Sequence, residues 1–358
     1  MLVAAPRRGT ADSRRATQHL DELARLADTA GATVAARLTQ QVERPSPRSY
    51  LGAGKLAELK ELARDKEASL VIFDEELSPV QGKVLEESLG LRVMDRTELI
   101  LDIFARRAWT REAKLQVELA QLEYLLPRLQ RMWVHLSRIR GGIGLRGPGE
   151  TQLETDRRMI RTRISRLRRR LEKVRRHRDT IRRGRRPVPT AALVGYTNAG
   201  KTSLLRALTG ADAFVEDRLF ATLDTLTREA DVAPGCRMRF IDTVGFIRKL
   251  PHNLVASFRA TLEEVTLADV VIHVIDASRP DWEEQVGIVD GVLDDLGVDD
   301  ACLVHVFNKM DIVLEPDALL DGARNRFGQV ALVSAALGDV HDLTALLARE
   351  WVSQAPAG

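Results

Sequence analysis

GYTNAGKT, residues 195–202, follows the apolar run Thr190-Ala191-Ala192-Leu193-Val194 and leads into SLLRALTG. A buried strand, a glycine turn and a helix in that order are the context that the pattern GxxxxGK[ST] requires, and they predict a P-loop α/β domain. Each position has a chemical reason. Gly195 and Gly200 let the backbone turn tightly enough for successive N–H groups to surround a β-phosphate, and Tyr196, Thr197, Asn198 and Ala199 complete the cradle. Lys201 can reach the β and γ oxygens, and Thr202 can place its hydroxyl on Mg2+. On their own, these eight residues suit ATP as well as GTP.

Three later segments narrow the choice. Met238 to Ile241 reads as a short apolar strand ending in Asp242-Thr243-Val244-Gly245, where Asp242 can hold Mg2+ through water and the Gly245 amide can meet a γ-phosphate. The strand Val270 to Ile275 follows, then Leu303 to Phe307, which ends in Asn308-Lys309-Met310-Asp311. The Asp311 carboxylate can accept hydrogen bonds from guanine N1–H and the 2-amino group, neither of which adenine offers. Ser334-Ala335-Ala336 stands where a last base-contacting loop belongs. In this order on successive strands, the four pieces predict an enzyme that binds and hydrolyses GTP. The residue after the DxxG glycine is Phe246, where Ras-like enzymes carry a glutamine that orients the attacking water. No catalytic side chain is therefore assigned, and slow unaided hydrolysis is expected.

Upstream, apolar residues at Leu115, Leu119, Leu122, Leu126, Leu129, Trp133 and Leu136 recur in steps of four and three, giving a long amphipathic helix that Pro127 should bend. After the glycine-rich GGIGLRGPGE, the same seam resumes at Ile160, Ile164, Leu167, Leu171, Val174 and Ile181. Two matching seams joined by a short loop predict an antiparallel, coiled-coil-like helical hairpin. Earlier still, helical patterns alternate with short β-rich runs such as SLVIFD and LRVMD, a small α/β domain. The expected division is 1–110 for that domain, 111–187 for the hairpin with its tip at 141–150, 188–353 for the nucleotide domain and 354–358 for a tail.

Charge is concentrated rather than large. The chain carries a net +3, yet Asp156 to Arg186 holds 16 Lys/Arg against 3 Asp/Glu, or +13, leaving −10 for the remainder. A helix so short of acids repels itself unless a polyanion covers it, which points to nucleic acid. With 44% apolar residues and no apolar run near the ~18 that a membrane span needs, the composition is that of a globular protein with no membrane partner. The opening MLVAAPRRGT lacks the apolar core of a secretory signal, so a cytoplasmic protein is expected. Cys236 and Cys302 form no CxxC pair and read as two small buried residues. Gly52-Ala53-Gly54-Lys55 lacks full P-loop spacing and reads as a turn into a helix, with an ATP-driven RNA-remodelling activity of the first domain as the alternative. A signalling GTPase that grips a protein through the hairpin is a further alternative, disfavoured by the nearly pure basic charge.

The chain closely resembles the HflX family of translational GTPases. The likeness extends beyond the nucleotide domain to YLGAGKLAEL, DRTELILDIFARRA, KLQVELAQLEYLLPRL and GGIGLRGPGETQLETDRR. It implies that Phe220-Ala221-Thr222-Leu223-Asp224 is the first switch, with Thr222 as a second Mg2+ ligand beside Thr202. It also implies binding to the large ribosomal subunit and its rRNA, with the tip residues Gly141, Gly142, Ile143, Gly144, Leu145, Arg146 and Gly147 approaching the peptidyl transferase region. GTP would then control the splitting or rescue of stalled ribosomes, the ribosome would stimulate hydrolysis, and the protein would act as a monomer. Asn198 resembles the P-loop asparagine of potassium-activated GTPases, which implies K+ as a second cofactor. Ala113 stands where a glycine is usual before KLQ, and Gly82 where a bulkier polar residue is common; both are tolerable local changes.

Overall fold

The computed structural model describes residues 1–10, 15–132, 148–183, 188–210, 218–250, 259–298, 303–314 and 316–354. The glycine-rich tip expected at 141–147, and Cys302, lie outside them. Two compact units are present: residues 1–106 with 114–173, and residues 107–113 with 174–358. Residues of the second long helix fall in both units. Helical residues beyond 173 belong with the nucleotide unit, where Arg175 pairs with Glu263 at 2.9 Å.

The first unit begins with a strand that the sequence reading passes over. β1 (Leu2–Ala4) pairs in parallel with both β2 (Arg37–Thr39) and β3 (Leu70–Phe73), and β4 (Arg92–Asp95) completes the sheet in the order β2-β1-β3-β4. Three residues are too few to show a period, so the opening run gives no strand signal in the sequence, while its burial on both sides makes it a central strand. Met1, Val3 and Ala5 lie in one cluster with Leu38, Val71 and Phe73. Parallel strands need crossovers, supplied here by α1 (Ala16–Thr29), α2 (Ala53–Asp65) and α3 (Pro79–Leu89). α3 is bounded as its sequence demands. Ser78 and Gln81 form a reciprocal capping box, Pro79 occupies the first turn, and Gly90 ends the helix at φ 69°. Gly52 only precedes α2, where Lys55 pairs with Glu58 at 2.9 Å, the arrangement of a turn entering a helix.

α4 (Arg96–Arg107) opens with an arginine that is almost wholly buried between Asp74, at 2.7 Å, and Glu22. The long helices follow. α5 (Arg111–Met132) carries Pro127 within its span, and α6 (Pro148–Arg183) runs for 36 residues. Leu115, Leu119, Leu122 and Leu126 pack in one cluster with Ile160, Ile164, Leu167 and Leu171, so the two heptad seams meet. Arg163 pairs with Glu118 and Arg168 with Glu123, each at 2.7 Å, across the same seam.

The second unit holds a six-stranded sheet in the order β10-β9-β8-β5-β7-β6. It comprises β5 (Thr190–Gly195), β6 (Leu226–Ala233), β7 (Cys236–Asp242), β8 (Val270–Asp276), β9 (Leu303–Asn308) and β10 (Val330–Leu332). All pairs are parallel except edge strand β6, which runs antiparallel to β7 with a bulge near Asp231. β6 was not foreseen because its charged residues hide its period, as is common on edges. The helices between these strands are α7 (Lys201–Thr209), α8 (Arg259–Thr266), α9 (Trp282–Leu296) and α10 (Pro316–Arg326), and α11 (His341–Gln354) follows β10. No helix among the described residues is long and apolar enough to cross a membrane.

Removing Arg96 would take away the guanidinium that pairs with two buried carboxylates. Arg96→Met is expected to cost about 3–5 kcal/mol, measured by urea unfolding, and a loss below about 1 kcal/mol would show that the cluster is not held by charge pairing.

Candidate nucleotide site

Parallel strands bring their carboxyl ends to one edge of the sheet, and open α/β sheets bind ligands there. β5 ends at Gly195, β7 at Asp242, β8 at Asp276 and β9 at Asn308. The sequence-predicted pieces thus converge because of topology, although more than a hundred residues separate the first from the last. Gly195 is required by proximity: a Cβ there, at φ 149°, would lie 2.2 Å from the Val274 carbonyl of the neighbouring strand. Thr197, Asn198, Gly200, Lys201 and Thr202 line one cavity with Phe220, Ala221, Thr222, Thr243 and Gly245. Ser203 and Arg218 also line it, and sequence reading had singled out neither.

The charged pair at the bottom of this cavity is fully enclosed. Lys201 Nζ donates to the carbonyls of Gly195 and Tyr196 at 3.1 and 2.9 Å. Burial pulls its pKa down to about 8, with Asp242 opposing the shift. Burial likewise pushes Asp242 up to about 6, against the attraction of Lys201 and the Thr202 hydrogen bond. Thr202 Oγ1 donates to Asp242 Oδ2 at 2.6 Å and lies 2.7 Å from Thr222 Oγ1, while Asp242 Oδ1 is buried without a hydrogen-bond partner. Two hydroxyls and an under-satisfied carboxylate gathered in this way are a hard oxygen donor set, the chemistry that Mg2+ selects.

The second-switch backbone is fastened to the P-loop. Phe246 N–H donates to Gly195 O at 3.0 Å, and Thr197 N–H donates to Phe246 O at 2.6 Å. The Phe246 side chain is buried, so this residue extends the strand pairing rather than facing a reacting water. Thr243 is likewise structural through its hydroxyl, which donates to Leu193 O at 2.7 Å, and Val244 is buried. At Gly245 a Cβ would meet Thr197 Cα at 2.7 Å and Lys201 Nζ at 3.0 Å. In the first switch, Phe220 is buried and its N–H donates to Thr197 Oγ1 at 2.8 Å. Leu223 is also buried.

Asp224, expected in the first switch, is engaged at the start of α5. Its carboxylate accepts from the backbone N–H groups of Trp109, at 2.9 Å, and Thr110, at 3.2 Å, and from the Thr110 hydroxyl. It therefore satisfies orphan donors just ahead of α5 instead of facing the phosphate cavity. Family resemblance had grouped it with Thr222 by adjacency alone, and no local pattern marks a capping partner more than a hundred residues away.

The base-recognition end is built around Asn308. Its amide donates to Ala199 O at 3.0 Å and accepts from Ala335 N–H at 3.0 Å, so one side chain ties the P-loop to the Ser334-Ala335-Ala336 loop. Lys309, at φ 66°, pairs with Asp276 at 2.6 Å. Asp311 Oδ1 accepts from Ser334 Oγ at 2.6 Å, which orients the carboxylate while leaving the residue exposed. Met310 instead packs against the apolar cluster containing Phe307.

Because the neighbour at Gly245 is backbone, Gly245→Ala should displace the second switch. The expected result is at least a ~100-fold loss of GTP turnover, with GDP affinity changed much less, read by steady-state rates and fluorescent-nucleotide titration. Unchanged turnover would show that this switch need not approach Thr197.

Comparison with known proteins agrees with this geometry. Residues 17–105 match the family described as GTP-binding GTPase N-terminal, residues 107–185 the GTP-binding GTPase middle region, and residues 190–309 the 50S ribosome-binding GTPase. A GTPase HflX from Caldanaerobacter subterraneus is 50% identical over 323 residues, covering 88% of this chain and 76% of that protein. The GTPase HflX of Escherichia coli is 47% identical over 306 residues, covering 85% and 72%. A crystal structure of a GTP-binding protein from Sulfolobus solfataricus in complex with GDP covers 99% of this chain and 100% of its own at a TM-score of 0.50 and 24% identity, a likeness of fold. With a half-identical relative aligned across most of its length and a guanine-nucleotide site assembled at the sheet edge, this chain belongs to the HflX family of GTPases.

Proposed function

We propose that this GTPase binds the large ribosomal subunit through its helical hairpin and uses GTP to dissociate or rescue stalled ribosomes. The observation that carries the reading is the basic face of α6. Arg158, Arg161, Arg166, Arg169 and Arg170 are exposed along it, and several of them line one shallow groove. Only part of the helix's charge is spent internally, on pairs such as Arg163 with Glu118. An A-form RNA surface is recognised by shape and phosphate contacts, which suits a ridge of guanidinium groups. A compartment containing ribosomes, the cytoplasm, follows from that partner.

Within the nucleotide site the roles follow from placement. The P-loop and Lys201 hold the phosphates, Asp311 selects guanine, and Thr202, Thr222 and Asp242 would hold Mg2+. That ion would neutralise charge on the phosphate oxygens. Asn198, held at φ 65° in the P-loop, would offer its amide oxygen to a K+ beside the phosphates. Phe246 is buried and cannot orient water, so the chain's own groups position the nucleotide while the ribosomal surface completes the site.

Co-sedimentation with purified subunits under GDP, GTP and a non-hydrolysable analogue tests the main proposal. Binding to the large subunit is expected in the triphosphate state, weakening steeply with salt as arginine contacts release counterions. Binding indifferent to nucleotide, or flat with ionic strength, would overturn it. Replacing K+ by Na+ should lower the hydrolysis rate, and an equal rate in both salts removes the cation from Asn198.

A further inference from the structure

Three ligand-type side chains of the nucleotide unit converge among β8, β9 and α9, outside the set that lines the phosphate cavity. His273 of β8 and His305 of β9 are direct register partners, so their side chains share one face of the sheet. Asp290, in the middle of α9, lies over them. One nitrogen or oxygen from each of the three falls within 4.8 Å of the others. His273 Nδ1, His305 Nδ1 and Asp290 Oδ1 are all buried without a hydrogen-bond partner, the closest approach being 3.5 Å between His273 and Asp290.

Three buried polar atoms without hydrogen-bond partners in one cluster need an explanation, because leaving such a group unpaired is costly. His273 is 1% exposed and His305 7%, so water from bulk does not readily satisfy them. An ordinary histidine–aspartate hydrogen bond would account for two of the three atoms, but 3.5 Å is too long for one. We propose that His273, His305 and Asp290 form a binding site for a single divalent transition-metal ion of the zinc class. Two imidazoles and one carboxylate are a borderline donor set that zinc accepts and that Mg2+ does not prefer. Ligand atoms around zinc lie about 3.3 Å apart, so side-chain rotation inward from the 4.8 Å that bounds them would bring them onto one ion.

Neighbouring features fit the assignment. His305 is stacked on Phe327 with ring centroids 4.0 Å apart, which fixes its plane. Burial holds both imidazoles below their usual pKa, His305 at about 4, so both are neutral, the form that binds metal. A pocket of about 550 Å3 lined by Asp290, Asp294 and His305 gives an entry path and a second carboxylate one turn along α9. Arg326 also lines the pocket and opposes a dication, but it lies over the Phe327 ring and 3.9 Å from Glu283, and Asp294 lines the pocket beside it. A bound ion would fasten α9 to β8 and β9, the strands that end in Asp276 and Asn308.

The full-length protein, stripped of metal and then saturated with MgGDP to fill the nucleotide site, is titrated with Co2+ by visible absorption and with Zn2+ against a chromophoric chelator. One equivalent of tightly bound ion is expected, with Zn2+ raising the Tm. Asp290→Asn and His305→Gln should each weaken binding at least ~10-fold and abolish the Tm shift while leaving GDP affinity unchanged. Absence of a saturable equivalent, or variants that bind as tightly as the parent chain, would overturn the proposal.

Discussion

A lysine and an aspartate enclosed together beneath a glycine loop are the constraint on which the nucleotide unit rests. Burying either charge alone is costly: burial draws Lys201 down to about 8 and pushes Asp242 up to about 6, and each charge opposes the other's shift. The pair is held at the meeting of β5 and β7, whose parallel register sets Leu193 against Asp242. Carbonyls of Gly195 and Tyr196 occupy the lysine, and hydroxyl groups occupy one oxygen of the aspartate. This arrangement satisfies the charges partly and leaves them oriented toward phosphate and metal chemistry. Pre-orientation of this kind lowers the reorganisation needed when an anion arrives.

Around that pair, single side chains perform several tasks at once. Asn308 links two loops that would otherwise move separately, and Ser334 fixes the Asp311 carboxylate proposed to read guanine. Thr197 touches both switches, receiving the Phe220 N–H on its hydroxyl and donating its own N–H to Phe246. A γ-phosphate in contact with these segments would therefore be sensed through hydrogen bonds a few ångströms long. Asp224 carries the first switch to the residues just before α5, so capping of that helix start and the state of the switch share one carboxylate.

The helical hairpin obeys simpler rules. Its seam residues were legible because a heptad repeat needs nothing beyond local spacing, and Leu115 to Leu126 meet Ile160 to Leu171 as that spacing implies. α5 stays helical across Pro127, with Arg128 seated over the Tyr124 ring and donating to Leu77 O. Packing around the proline compensates for the lost backbone bond.

By itself the sequence determined the P-loop, the guanine tetrad, the position of the switches and the basic helix, because each depends on residue types at fixed short spacings. Tertiary structure decided what spacing cannot express. It made the first residues a central strand, since β1 is defined by neighbours on both sides rather than by its own period. It turned Asp224 from a nucleotide contact into a cap, since its partners lie in another part of the chain. It also set His273 against His305 and Asp290, three residues that look like ordinary strand and helix positions until parallel pairing places them on one face. Long-range register, not local pattern, creates such meetings, and register is fixed only when the whole sheet buries its core.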